Sequence, residues 1–137
     1  MDTQWQKMLE AIESGLPLFG SGIEVKYVET DQTSDEHINI SAPQLGNTEI
    51  EVYRNETGEW YVMAFTYHGG NFNPMSGTGH PPYNDDKEIA SSRSIGTIAG
   101  KAWEAVAQTM IGYRYEYYDM EKEREAEQSA DTDIDEH

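Results

Sequence analysis

The chain contains no cysteine, which removes disulfides, thiolate metal sites and a cysteine nucleophile from consideration. Positive charge is also scarce. Nine Lys and Arg stand against 26 Asp and Glu, a formal net charge of −17. Direct nucleic-acid binding needs clustered cations to meet phosphate, so that imbalance argues against it. Anionic membrane surfaces repel such a chain for the same reason. No run approaches the roughly 18–20 apolar residues of a membrane span. The start, Met1-Asp2-Thr3-Gln4-Trp5, lacks the basic and apolar stretches of a secretory signal, and a cytoplasmic setting is expected. Catalytic signatures are missing too: there is no Gly-x-Ser-x-Gly elbow and no His-Glu-x-x-His pair. No enzyme activity and no cofactor are expected.

What is present suits one domain of modest size. The 137 residues are 36% apolar and include nine Tyr, three Trp and three Phe, enough for a core without covalent staples. Residues 1–127 read as a single α+β domain and 128–137 as an acidic, disordered tail.

The spacing predicts a helix over 3–14, where Trp5, Met8, Leu9 and Ile12 make one apolar stripe, capped by Asp2 or Thr3 and stopped by Gly15 and Pro17. Four strands follow, over 23–29, 37–41, 48–54 and 59–67. The first three alternate apolar and polar residues, as strands with one wet face do. The fourth carries Trp60, Val62 and Ala64 on one side and Tyr61, Met63, Phe65 and Tyr67 on the other, which suits a central strand or one covered on both faces. Asn55-Glu56-Thr57-Gly58 reads as a hairpin turn, and the whole as an antiparallel meander. Glycines and prolines make 68–90 a long irregular loop.

A long helix is expected from about Ser91–Ser94, with a seam of Ile95, Ala99, Trp103, Val106, Met110, Tyr113, Tyr117 and Met120. Gly96 and Gly100 sit one turn apart, where they could admit close approach to the sheet. Residues 113–118 also alternate as a strand would, but the helical spacing runs through them. A helix this long outruns the sheet, so its far half projects or pairs with a second copy as a homodimer.

Residues 116–137 hold ten acids and two bases, about half the net charge in the final sixth of the chain. Glu116, Asp119, Glu121, Glu123, Glu125 and Glu127 thus form an acidic arm suited to a basic groove, the plainer alternative being a solvated helix end. Tyr53, Tyr61, Phe65, Tyr67, Phe72 and Tyr83 are the candidate partner surface, because exposed tyrosine beside a loop is typical of protein-binding patches. The alternative there is core under a helix.

His68, His80 and Asp85 are weak metal candidates, since their separation matches no compact ligand signature. Ser76-Gly77-Thr78-Gly79 resembles a phosphate-binding loop only in its glycines: Lys87 and Arg93 are the nearby cations, and Asp85, Asp86 and Glu88 would repel phosphate.

The expected function is therefore a non-enzymatic, acidic interaction protein. It would inhibit or antagonise a basic, nucleic-acid-handling protein, as anti-defence and immunity proteins do. A small acidic chaperone or adaptor dimer, and a small-ligand binder or enzyme using 68–83 as a lid, are the alternatives.

Overall fold

A computed structural model describes residues 1–70, 73 and 75–135; within the last helix, side chains are described up to 114 and from 121 to 126. Helix α1 spans Thr3–Glu13. Strands β1 (Glu24–Val28), β2 (His37–Ser41), β3 (Thr48–Arg54), β4 (Trp60–His68) and β5 (Tyr83–Ser92) follow, and helix α2 spans Ile95–Asp135. The strands form one antiparallel sheet in the order β1-β2-β3-β4-β5. This is an α+β meander with a helix at either end of the chain.

The sheet has five strands where four were expected. The fifth lies in the stretch read as irregular: residues 83–92 pair with β4 throughout, with a bulge between Val62 and Met63. Tyr-Asn-Asp-Asp-Lys-Glu hides its strand character because β5 is an edge, hydrogen-bonded on one side and exposed from Tyr83 to Ile89. Charged residues are the usual dress of an edge. The glycine-rich segment between β4 and β5 is the tip of their hairpin. There Asn73 and Thr78 bridge, the Asn73 N–H donates to the Thr78 carbonyl (2.8 Å), and the Gly77 N–H donates to the Asn73 carbonyl (2.9 Å).

Both helices cover the same sheet face. The alternation that marks the strands puts Ile38, Ile40, Ile50, Val52, Trp60 and Val62 against Trp5, Met8 and Ile12 of α1 and Ile98, Ala102, Trp103 and Val106 of α2. Each large aliphatic side chain so buried stabilises the fold by about 1.5–3 kcal/mol. The Asp2 side chain caps α1 through the Trp5 N–H (2.9 Å) and holds Arg54, whose guanidinium lies over the rings of Trp5 and Trp60. One end of the helix is thereby pinned to the sheet.

The expected seam of α2 holds from Ile95 to Met110, and residues 113–118 are helical. Gly96 and Gly100, by contrast, are exposed and approach nothing, because the packed stripe runs through Ile98, Ala102 and Ala105 instead. Near Gly46 the helix begins to leave the body. That glycine has φ +62°, and its missing Cβ would lie 2.9 Å from the Tyr113 ring. At about 1.5 Å per residue the 41-residue helix is about 60 Å long. The helix continues to Asp135, through most of the stretch 128–137 expected to be a disordered tail.

Candidate functional site

Among the described residues no helix covers the opposite face of the sheet, whose make-up follows from register. On β4 the outward residues are Tyr61, Met63, Phe65 and Tyr67. Across the ladder to β3, Phe65 stands opposite Glu49, Met63 opposite Glu51 and Tyr61 opposite Tyr53. Across the ladder to β5, Phe65 stands opposite Asp86, Met63 opposite Glu88 and Tyr61 opposite Ser91. An aromatic and methionine column therefore runs down the sheet between two rows of carboxylates. Strands lie about 4.8 Å apart, so those rows are roughly 10 Å from each other.

The upper end of this face is built tightly. Tyr53 stacks on Tyr61 (centroids 5.5 Å apart) and on the His37 imidazole (5.0 Å), and meets Phe65 edge-on (6.4 Å). His37 and Glu51 are buried beneath this cluster, with Nε2 2.6 Å from Oε1. The other imidazole nitrogen, Nδ1, lies 2.7 Å from the Asp35 carbonyl, and the Tyr53 hydroxyl donates to Glu51 Oε1 at 3.2 Å. Burial pushes the Glu51 carboxyl above its ordinary value, with the Glu49 charge acting the same way; the His37 imidazole and the Tyr53 hydroxyl oppose it. Burial, followed by the Glu51 charge, raises the Tyr53 phenol. Tyr61 is raised by burial first and then by Asp35 and Glu88. Both phenols keep their protons at neutral pH and present neutral faces.

The carboxylates differ in how far they are already engaged. Glu51 is held by His37, and Glu49 accepts from Asn39 Nδ2 at 3.2 Å. Asp86 and Glu88 are exposed along β5.

Of the residues singled out from sequence, Tyr53, Tyr61, Phe65 and Tyr67 thus share this face, with Tyr67 49% exposed. Tyr83 does not join them. It pairs with His68, stacks on that imidazole (4.5 Å), and meets the His80 ring at 5.6 Å. Phe72 lies outside the described residues. Asp85 pairs with Thr66, on the helix side of β5. Among the described residues no three His, Asp or Glu gather as a metal site would require. The Ser76–Gly79 turn lies in a strand-to-strand hairpin, where no helix N-terminus is available to meet phosphate.

Glu121, Glu123 and Glu125 are exposed on α2, Glu125 with Lys122 at 3.5 Å. The side chains of Glu116, Asp119 and Glu127 lie outside the described residues, although their backbone is helical. Where α2 leaves the sheet it is flanked by two clefts. One, of about 480 Å³, is lined by Thr48, Thr66, His68, Thr109 and Tyr113. The other, of about 590 Å³, is lined by Phe19, Met110, Ile111 and Tyr113.

Two residues central to the site, His37 and Glu51, stand at polar positions of the alternating strands β2 and β3, where sequence pattern alone predicts a solvent-facing side chain. Only the pairing of β2 with β3 brings them together. No family model matches the chain, and comparison with characterised proteins and with solved structures brings no match.

Proposed function

We propose that this protein is a non-enzymatic interaction domain that binds a basic protein on its uncovered sheet face. By occupying that partner it acts as an inhibitor or antagonist, in the manner of anti-defence or immunity proteins, and a nucleic-acid-handling protein is the partner its charge suits best. One observation carries the reading: the column Tyr61, Met63, Phe65 and Tyr67 between carboxylates on β3 and β5. Lysine and arginine lay their apolar stems along such a surface while their charged ends reach acids at its sides. Their cations are also attracted to aromatic faces, by about 0.5–1 kcal/mol at exposed sites. The net charge of −17 adds long-range steering toward a cationic surface and repels nucleic acid itself.

The test is affinity capture from host extract with the wild type and with Tyr61→Ala/Phe65→Ala side by side, then rebinding of the captured protein in pure form. The reading expects a basic protein, retained by the wild type, lost with the double variant and released by salt as charge is screened. Capture unaffected by the double substitution, or binding indifferent to salt, would overturn it.

A further inference from the structure

The free edge of the sheet adds a second observation. β5 is ten residues long and, among the described residues, pairs with β4 alone, so every second residue turns its N–H and C=O away from the sheet. Over residues 83–88 the pairing with β4 is regular; the bulge falls beyond them, toward Ser92. These six residues offer a straight edge of about 20 Å. They carry Asp85, Asp86 and Glu88 against a single cation, Lys87. A second copy of the same strand would bring like charges opposite one another, which is a recognised way of blocking self-pairing. A basic strand meets no such barrier.

We propose that the basic partner is held as an added sixth strand, an extended segment hydrogen-bonded to β5 along residues 83–88 with lysine or arginine at every second position. This rests on the basic-partner reading and specifies its geometry. Asp86 and Glu88 stand two residues apart on the uncovered face, opposite Phe65 and Met63. Residues of an added strand directly across from them come within about 4.5–5.5 Å, Cβ to Cβ. Alternate cations of that strand therefore meet both carboxylates in one register, and their stems continue the apolar column of β4. Main-chain bonds supply binding along the edge, and the alternating side chains supply selectivity.

The probe is a synthetic eight-residue peptide alternating arginine and valine, titrated into the full chain and followed by amide chemical shifts. Two further peptides have the same sequence with N-methyl groups on the arginines or on the valines, each removing the donors along one edge. The expected result is shift changes concentrated in 83–88 and an affinity loss of about tenfold or more for one N-methylated peptide but not for the other, since each hydrogen-bonded edge is worth at least the ~1.4 kcal/mol that makes a factor of ten. Asp86→Lys/Glu88→Lys should weaken the unmodified peptide comparably. Because both positions are exposed, this variant is expected to keep the wild-type melting midpoint. Equal binding of all three peptides would overturn strand addition while leaving the basic-partner reading standing. Failure of every peptide to bind at low salt would overturn both.

Discussion

The His37 imidazole spans two acceptors, the Glu51 carboxyl at 2.6 Å and the Asp35 carbonyl at 2.7 Å. The carbonyl can only accept, so Nδ1 donates to it, and the short contact between Nε2 and Glu51 requires one shared proton. A carboxyl with a raised folded pKa holds its proton more tightly in the folded chain than in the unfolded one. Its contribution to stability is whole below the ordinary value of 4.5 and is lost as the pH rises through the raised value. His37, Glu49, Tyr53 and Asn39 surround the group, and among them His37 moderates the loss. Urea unfolding of the wild type and Glu51→Gln across pH 4 to 8 checks this. The wild type should lose midpoint relative to the variant as the pH rises, and parallel curves would exclude a titrating Glu51.

A second relationship locks the two helices together. The Trp103 indole N–H donates to the Ile12 carbonyl at 2.9 Å, closing the C-terminal end of α1. Gly15 makes room for that ring: a Cβ there would lie 2.3 Å from Nε1. Gly15→Ala must push the indole aside, and is expected to cost about 1–3 kcal/mol as an overpacking change. Ile12→Ala, which empties a fully buried site, is expected to cost about 2–5 kcal/mol. Chemical denaturation reads both. An alanine at 15 without effect would mean that the indole has another place to go.

Much of this architecture is legible in the sequence, and the gaps have physical causes. Period-two alternation marks β1 to β3 because one face of each is packed and the other is wet, β4 is marked by apolar residues on both of its faces, and the seam from Ile95 to Met110 marks α2 because that stretch rides on the sheet. β5 lacks such a signal. An edge strand whose residues 83–89 are all exposed shows no apolar alternation, and its acids resemble loop composition. The aromatic column is visible on β4 by itself, but its carboxylate flanks depend on register across two ladders, which no single strand records. The contact of His37 with Glu51 likewise depends on the pairing of β2 with β3 and leaves no mark on either strand alone. Tyr83 looked equivalent to the other tyrosines until the pairing with His68 set it apart.

The start of α2 offers a test of local design. Ser94 Oγ accepts from the Thr97 N–H at 3.2 Å, and its carbonyl accepts from the Ile98 N–H at 3.1 Å. An N-cap serine of this kind is worth about 0.5–2 kcal/mol against alanine. Ser94→Ala should lower the thermal midpoint accordingly, whereas Ser94→Asp should preserve it, because aspartate caps equally well and suits the positive end of the helix. Equal losses in the two variants would show that the hydroxyl does not cap.

The projecting end of α2 separates stability from recognition. Side chains 121–126 are exposed, and the core of the domain ends its contact with α2 near Met110. Removing residues 121–137 takes away eight acids and two bases, and with them a large share of the net charge. Because none of the described residues of this segment joins the core, the denaturation midpoint should stay at its full-length value. Recognition should change in one kinetic term. Charges outside a contact surface act on the encounter, so the truncated chain should associate more slowly with a basic partner, by several-fold at low salt, and dissociate at the same rate. At 1 M salt, where the screening length falls to about 3 Å, the two association rates should converge. Stopped-flow association across a salt series distinguishes the cases. Faster dissociation on truncation would place the arm inside the bound surface instead of beside it.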